Sequence, residues 1–148
     1  MNRIKKRQWW RPVAPMVAAE AAASLFDHAW PIASPFMSFA PPLREEMRTL
    51  APAVVHYDGT ARPQTVTPAD EPWVHALLVA VGRRVASKLP MLINTSFNTK
   101  GRPIINSAAE ALRMLCALPD LDVVVIDEWL FEKAKVKCEL LLSTAVDV

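Results

Sequence analysis

Two short polar segments hold most of the groups suited to gripping an anion or a carbonyl. One is His56-Tyr57-Asp58-Gly59-Thr60-Ala61-Arg62-Pro63-Gln64-Thr65-Val66; the other is Asn94-Thr95-Ser96-Phe97-Asn98-Thr99-Lys100-Gly101-Arg102-Pro103-Ile104. Each adjoins an apolar run, and between them they supply Arg, Ser, Thr and Asn, with a Gly where backbone must come close. Ser96 and Asn98 are two apart. On an extended chain both side chains face the same side, and a hydroxyl beside an amide can hold a phosphate oxygen and a carbonyl together. A strand end closed by Asx and Ser turns uses the same residues equally well. Arg62 follows an Asp-Gly-Thr turn and suits a bidentate grip on phosphate, with Gly59 and Thr60 as further donors. Its alternative is a surface ion pair with Asp58, worth little.

A third cluster opens the chain. In an extended lead-in Lys5, Arg7 and Arg11 share a face with Trp9. Facing a pocket, they would neutralise a polyanion such as a triphosphate. Facing solvent, they form a basic end or a nucleic-acid arm with aromatics interleaved. The Trp9-Trp10 pair is expected to bury. His56 reads as a packed or hydrogen-bonded strand residue. His28 and His75 have no metal spacing, and Glu71, Glu110 and Glu128 are isolated, so neither a metal site nor a carboxylate pair follows.

The elements that must position these groups are legible in part. Pro12–Val17 reads as an extended piece and Ala18–Asp27 as a helix broken by Pro31–Pro35. Phe36–Phe39 alternates like a strand, and Leu43–Leu50 reads as a short charged helix. Val54–Val66 resembles a hairpin around Asp58-Gly59. Thr67–Pro72 is a helix entry, and Trp73, Ala76, Leu77, Ala80, Val81 and Arg84 follow helical spacing through Lys88. Pro90–Ile93 is an apolar strand. Ser107 with Glu110 forms a capping box for a helix to about Ala117. Leu121–Ile126 reads as a buried strand, and another begins at Trp129–Glu132. Residues from about 134 to 148 match no pattern and read as a strand-forming extension or an irregular tail. Strand, helix and strand between Met91 and Ile126 predict a parallel pair with a right-handed crossover. The fold class expected is α/β (α+β), an open mixed sheet of about five to seven strands with flanking helices.

At 148 residues, with 52% apolar and 22% charged residues, the chain suits one compact domain and is neither disordered nor low-complexity. A net charge of +2 is too small to imply a nucleic-acid partner. Cys116 and Cys138 lack metal-ligand spacing and a disulfide framework; both are expected as free thiols, Cys116 as a buried small hydrophobe. There is no secretory h-region and no spanning stretch, so a cytoplasmic protein is expected.

Longer stretches resemble one family. Ile4-Lys5-Lys6-Arg7-Gln8-Trp9-Trp10-Arg11-Pro12-Val13-Ala14-Pro15, Ser34-Pro35-Phe36-Met37, the His56–Val66 segment and Asn94–Asn98 are similar, in order and spacing, to the C-terminal, YrdC-like domain of the nodulation and antibiotic O-carbamoyltransferases. With Pro103-Ile104, Ala109–Ala111 and Leu130–Lys133 the resemblance covers most of residues 2–133. It implies a twisted open sheet of YrdC type. It implies use of ATP, with Mg2+ on the triphosphate, and of carbamoyl phosphate, to make carbamoyl adenylate with release of pyrophosphate. A separate N-terminal domain would then move the carbamoyl group onto a hydroxyl of a sugar or natural product. The family's Lys-x-Arg pair maps to Lys5 and Arg7, its Ser-x-Asn pair to Ser96 and Asn98, and its further basic residues to Arg11 and Arg62. The resemblance also implies departures. The transfer domain and an upstream Gly-Pro-Arg segment are absent, so the chain is expected not to carbamoylate an acceptor by itself. It would be half of a split enzyme or a truncated product. The alternatives are a non-catalytic remnant or binding module and, more remotely, an RNA-binding protein.

Overall fold

The chain is seen in a computed structural model that describes residues 1–27 and 33–143. The expectation for His28, the Pro31 break and the end of the tail fall outside them. Chain contacts gather into two compact units, Pro12–Thr95 and Met1–Arg11 with Ser96–Val148.

In the first unit, β1 (Ala14–Ala18) is the central strand of a three-stranded sheet. It alternates half-buried and buried residues and ends at Val17 and Ala18, both fully buried. β2 (Gln64–Val66) pairs with it in parallel, Val17 opposite Thr65. β3 (Met91–Asn94) pairs on the other side, antiparallel, Met16 opposite Leu92. Helices α1 (Ala22–Leu25) and α2 (Glu45–Leu50) lie between β1 and β2 in the chain. The helix expected from Ala18 is shorter, because Ala18 is taken by β1 and Ala19–Ala21 winds as a 3-10 turn.

Helix α3 (Pro72–Arg84) begins as anticipated, with Pro72 in its first turn and Thr67 and Asp70 bonded at 2.6 Å and 3.1 Å ahead of it. Its buried face differs from the expected stripe. Leu78 is fully buried and, with the partly buried Val74, packs against Ala18 and Val66, while Trp73 and Leu77 are exposed. Burying a Leu side chain is worth about 1.5–3 kcal/mol. Gly82 lies one turn beyond Leu78, where a Cβ would come 3.0 Å from the Pro90 backbone. A side chain there would require Pro90, just ahead of β3, to give by a few tenths of an ångström.

Two strand expectations fail for the same reason. Phe36–Phe39 is not a strand: the chain turns over Ser34–Met37, with Met37 N donating to Ser34 O at 3.3 Å and Met37 at φ 58°; Pro35 presets the bend. The Val54–Val66 hairpin does not form. Pro52–Val54 winds as a 3-10 turn, and neither Pro52 nor Pro63 has an N–H to offer a ladder. The Asp58-Gly59 turn does form: His56 N donates to Thr60 O at 2.8 Å, and Gly59 sits at φ 80°.

In the second unit, α4 (Ala108–Ala117) starts at the expected cap. Glu110 N donates to Ser107 Oγ at 3.3 Å, and the Glu110 carboxylate accepts from Asn106 N and Ser107 Oγ, each at 3.1 Å. The Asn106 amide foremost, then the Ser107 hydroxyl, holds that carboxyl below the ordinary range. β4 (Val123–Ile126) and β5 (Trp129–Glu132) form an antiparallel ribbon, Val124 opposite Phe131. Val124 is buried, but Val123 and Val125 are exposed, so β4 is half-covered rather than buried. Its core joins Ala111, Leu115 and Val124 with Phe97, Ile105 and Phe131. The expected crossover is absent. β3 and β4 belong to different sheets, and the parallel pair is β1 with β2. Both sheets are open, and five strands are present among the described residues, which makes the chain a mixed α/β fold.

As far as Ser143 the tail is not a strand. A 3-10 turn at Lys133–Lys135 leads into α5 (Cys138–Ser143), which packs on α4. Nor are the cysteines free: Cys116 and Cys138 are disulfide-bonded, with Cα atoms 5.3 Å apart, tying the end of α4 to the start of α5. Each is half-buried. Among the described residues no helix is long and apolar enough to cross a membrane.

The disulfide closes a loop of 22 residues. In the chain-entropy picture that is worth about 3 kcal/mol, so Cys138→Ser is expected to lower the stability by that much in urea unfolding. Alkylation of the unreduced protein should label no thiol; labelling of both would show the link is not formed.

Candidate functional site

The lead-in is not extended. Residues 1–6 make a helical turn, with Lys5 N donating to Met1 O at 3.1 Å. The turn ends in a Schellman motif: Lys6 N donates to Arg3 O at 3.0 Å, Arg7 N donates to Asn2 O at 3.1 Å, and Lys6 takes φ 53°. A left-handed residue reverses the chain, so Lys5 and Arg7 stand on either side of the reversal rather than along one strand face. Arg3 holds the turn to Asp120 through two bonds of 2.7 Å and 2.8 Å. Lys100 N donates to Lys5 O at 3.2 Å.

This turn meets the segment that follows β3. Lys5 Nζ donates to Ser96 O at 2.5 Å, Ser96 Oγ at 2.9 Å and Asn98 Oδ1 at 2.8 Å. Ser96 Oγ donates in turn to Asn98 Oδ1 at 2.6 Å. Ser96 and Asn98 therefore come together as expected, but through a tight bend, Asn98 N to Ser96 O at 3.2 Å, and not along an extended strand. Asn98 Nδ2 donates to Arg102 O at 2.7 Å and closes the loop. Between the two polar residues Phe97 packs into the Ala111, Leu115 and Val124 core. Its burial fixes the loop while Ser96 stays exposed and Asn98 half-buried.

An ammonium has three N–H donors, and those of Lys5 meet three oxygens. Partial burial makes its charge costlier, and the Arg7 and Arg11 guanidiniums add like charge, so its pKa is held below the ordinary 10.5. An anion brought close to Lys5 would oppose both effects and would compete for its donors. Asn2, overlooked in the sequence, braces the cluster: Nδ2 donates to Trp9 O at 2.9 Å and Arg11 O at 2.8 Å, and Arg7 Nε donates to Oδ1 at 2.6 Å. An Asn beside a turn, able to bond backbone a few residues on, was the available signal. Trp9 and Trp10 are 87% and 64% exposed, against the expectation of burial.

Lys5, Arg7, Arg11, Ser96 and Asn98 all belong to one unit; Arg62 belongs to the other. Arg62 is exposed. It forms no ion pair with Asp58 among the described residues. Asp58 Oδ1 instead accepts from Thr60 Oγ1 at 2.7 Å and Thr60 N at 3.0 Å. Those bonds, the hydroxyl first, hold the Asp58 carboxyl below the usual carboxylate range. His56 Nδ1 lies 2.9 Å from Thr60 Oγ1, so it is hydrogen-bonded as anticipated, but beside a turn and not in a strand. The Ser34-Pro35-Phe36-Met37 turn is held by Gln64 Nε2 on Pro35 O at 3.1 Å and by Thr65 Oγ1, which accepts Ser34 N at 2.8 Å. Among the described residues no group of three or more His, Cys, Asp and Glu is placed to hold a metal ion.

Comparison with known proteins agrees with the motif reading. The profile described as carbamoyltransferase C-terminus matches residues 1–133. Nodulation protein NolNO of Sinorhizobium fredii (strain NBRC 101917 / NGR234) is 39% identical over 131 residues, 88% of this chain and 19% of its own. Nodulation protein NolO of Bradyrhizobium diazoefficiens is 36% identical over 131 residues, 88% of this chain and 23% of its own. The 3'-hydroxymethylcephem-O-carbamoyltransferase of Streptomyces clavuligerus is 35% identical over 130 residues, 87% of this chain and 24% of its own. The chain spans less than a quarter of the length of each of these relatives.

Two outcomes follow from the geometry. A non-glycine residue in the left-handed region costs about 1–2 kcal/mol, so Lys6→Gly is expected to slow exchange of the Arg7 amide hydrogen several-fold and Lys6→Val to hasten it. Equal exchange in both variants would show that the Schellman turn is not populated. The depressed Lys5 pKa makes its charge unfavourable at pH below the folded-state pKa, a cost relieved as pH rises towards 10.5. Anion binding reverses the shift. Calorimetry with ATP in alkaline buffers of differing ionisation heat is expected to show net proton uptake, lost in Lys5→Met.

Proposed function

The chain belongs to the carbamoyltransferase C-terminus family, and from that premise we propose that it is the carbamoyl-adenylating part of an O-carbamoyltransferase. In this reading it binds ATP and carbamoyl phosphate and forms carbamoyl adenylate. Water cleaves the phosphoryl group from carbamoyl phosphate, which leaves as inorganic phosphate. A carbamate oxygen then attacks the α-phosphorus of ATP, the bond to the β-phosphate breaks, and pyrophosphate leaves. A separate polypeptide segment passes the carbamoyl group to the hydroxyl of a sugar or natural product. ATP and carbamoyl phosphate as substrates favour the cytoplasm, where a lasting Cys116–Cys138 link would be unusual.

The observation that carries the reading is the Lys5 ammonium against Ser96 and Asn98, with the charges of Arg7 and Arg11 acting on it. Adenylation needs aligned phosphates and stabilised developing charge more than it needs a nucleophilic side chain. Lys5, Arg7 and Arg11 are assigned to the phosphates, and Ser96 and Asn98 to the carbamoyl oxygen and the nucleotide. Arg62 is assigned to the carbamoyl phosphate. With no cluster of carboxylates or histidines among the described residues, Mg2+ would be held chiefly by the triphosphate, as this hard ion commonly is, and would neutralise the phosphate charge.

The test is calorimetric titration of the 148-residue chain with ATP and with carbamoyl phosphate, followed by an assay of pyrophosphate release from the two together. Binding is expected, weakened about tenfold or more by Ser96→Ala and by Arg62→Ala, since a hydrogen bond to a charged group is worth about 1.5–3 kcal/mol. Binding indifferent to both substitutions would refute the site. Ligand binding without pyrophosphate release, even with a transfer segment added, would identify a non-catalytic remnant.

A further inference from the structure

Asn2 makes more contacts than a surface asparagine needs. Its amide carries two N–H donors and a carbonyl oxygen. Both donors are used, on Trp9 O at 2.9 Å and Arg11 O at 2.8 Å. The oxygen accepts from Arg7 Nε at 2.6 Å. Because both backbone partners are carbonyls, the amide orientation is decided: nitrogen towards them, oxygen towards the guanidinium. The Asn2 backbone carbonyl also accepts Arg7 N at 3.1 Å, so Arg7 is gripped at backbone and side chain by one residue.

No other side chain does this in the same space. Asp has no donors, Ser offers one, and Gln places its amide one methylene further out. The Asn2 and Arg7 side chains are each half-buried, where a hydrogen bond to a charged group counts for more than at an open surface. A guanidinium held at Nε is fixed in plane and direction, which is what a bidentate approach to phosphate demands. The same amide pins the far end of the loop at Arg11, the other cation whose charge acts on Lys5.

We propose that Asn2 is a positioning residue. It fixes the Arg7 guanidinium and clamps the Gln8–Arg11 loop, so that the cations of the lead-in are already aimed when a nucleotide phosphate arrives. The phosphate part of this inference rests on the adenylation reading above; the aiming of Arg7 does not.

Two measurements on the full chain test it. In nitrogen-15 spectra the Arg7 Nε–H is expected to be resolved and slow to exchange, and Asn2→Ala to bring it at least about tenfold closer to solvent-exposed arginine. With ATP as the titrant, Asn2→Ala is expected to weaken binding about tenfold, while adding Asn2→Ala to Arg7→Ala costs clearly less than that, the remainder being its hold on Arg11. A merely structural role predicts additive losses. Should Asn2→Ala disorder the lead-in, Asn2→Asp keeps the acceptor for Nε and must keep its slow exchange. Fast exchange of Arg7 Nε–H in the unsubstituted chain, or strict additivity, overturns the inference. ATP binding lost in Lys5→Ala yet indifferent to Asn2→Ala sinks the inference alone; no ATP binding by the unsubstituted chain sinks the adenylation reading and the phosphate role with it.

Discussion

A lysine ammonium held against three oxygens organises this part of the molecule. Lys5 Nζ reaches Ser96 O and Oγ and Asn98 Oδ1, across 91 residues of chain in the case of Ser96. The bond set is short and charge-assisted, yet the ammonium remains easier to deprotonate than a free lysine. Two opposing effects explain this. The oxygens favour the charged form, but partial burial and two neighbouring guanidiniums disfavour it more. Burial and like charge thus make the Lys5 ammonium costlier to keep protonated than a lysine in water.

Holding those charges together falls to backbone geometry and to packing on the opposite side. The Schellman turn at Lys6 reverses the chain within one residue, and Asn2 closes the loop that follows. On the facing segment Phe97 is drawn into the Leu115 and Val124 core, so its polar neighbours are left towards the lysine. Apolar burial here does what a longer rigid strand would do: it restricts the positions that Ser96 and Asn98 can take. The Cys116–Cys138 link and the Ser107 cap secure the helix on which that core is built.

Much of the architecture was readable where local chemistry is strong. The Ser107-Glu110 box, the Pro72 entry, the apolar run at Met91 and the Asp58-Gly59 turn each act over a few residues, and each formed. Structure departs from the local pattern where proline outweighs hydrophobic alternation, at Phe36–Phe39 and before Gln64, and where the partner of a strand is set by distant chain. A short run such as β2 has no local reason to choose a parallel neighbour; the core formed by Ala18, Val66 and Leu78 supplies it. The buried face of α3 is likewise not set by its own spacing: Trp73 is large enough to suggest burial, while Gly82 allows the approach to Pro90.

For the site, the residue types and their order were present in the chain from the outset: Lys5, Arg7 and Arg11 in one stretch, Ser96 and Asn98 in another, Arg62 between. Family membership follows from that order, since spaced motifs persist in linear sequence. Tertiary structure alone decided that the lead-in coils rather than extends, that Lys5 meets Ser96 and Asn98, that Asn2 grips Arg7, and that the two cysteines are joined. Such contacts depend on loop closure, paid for by burial elsewhere in the chain. No window of neighbouring residues carries that information.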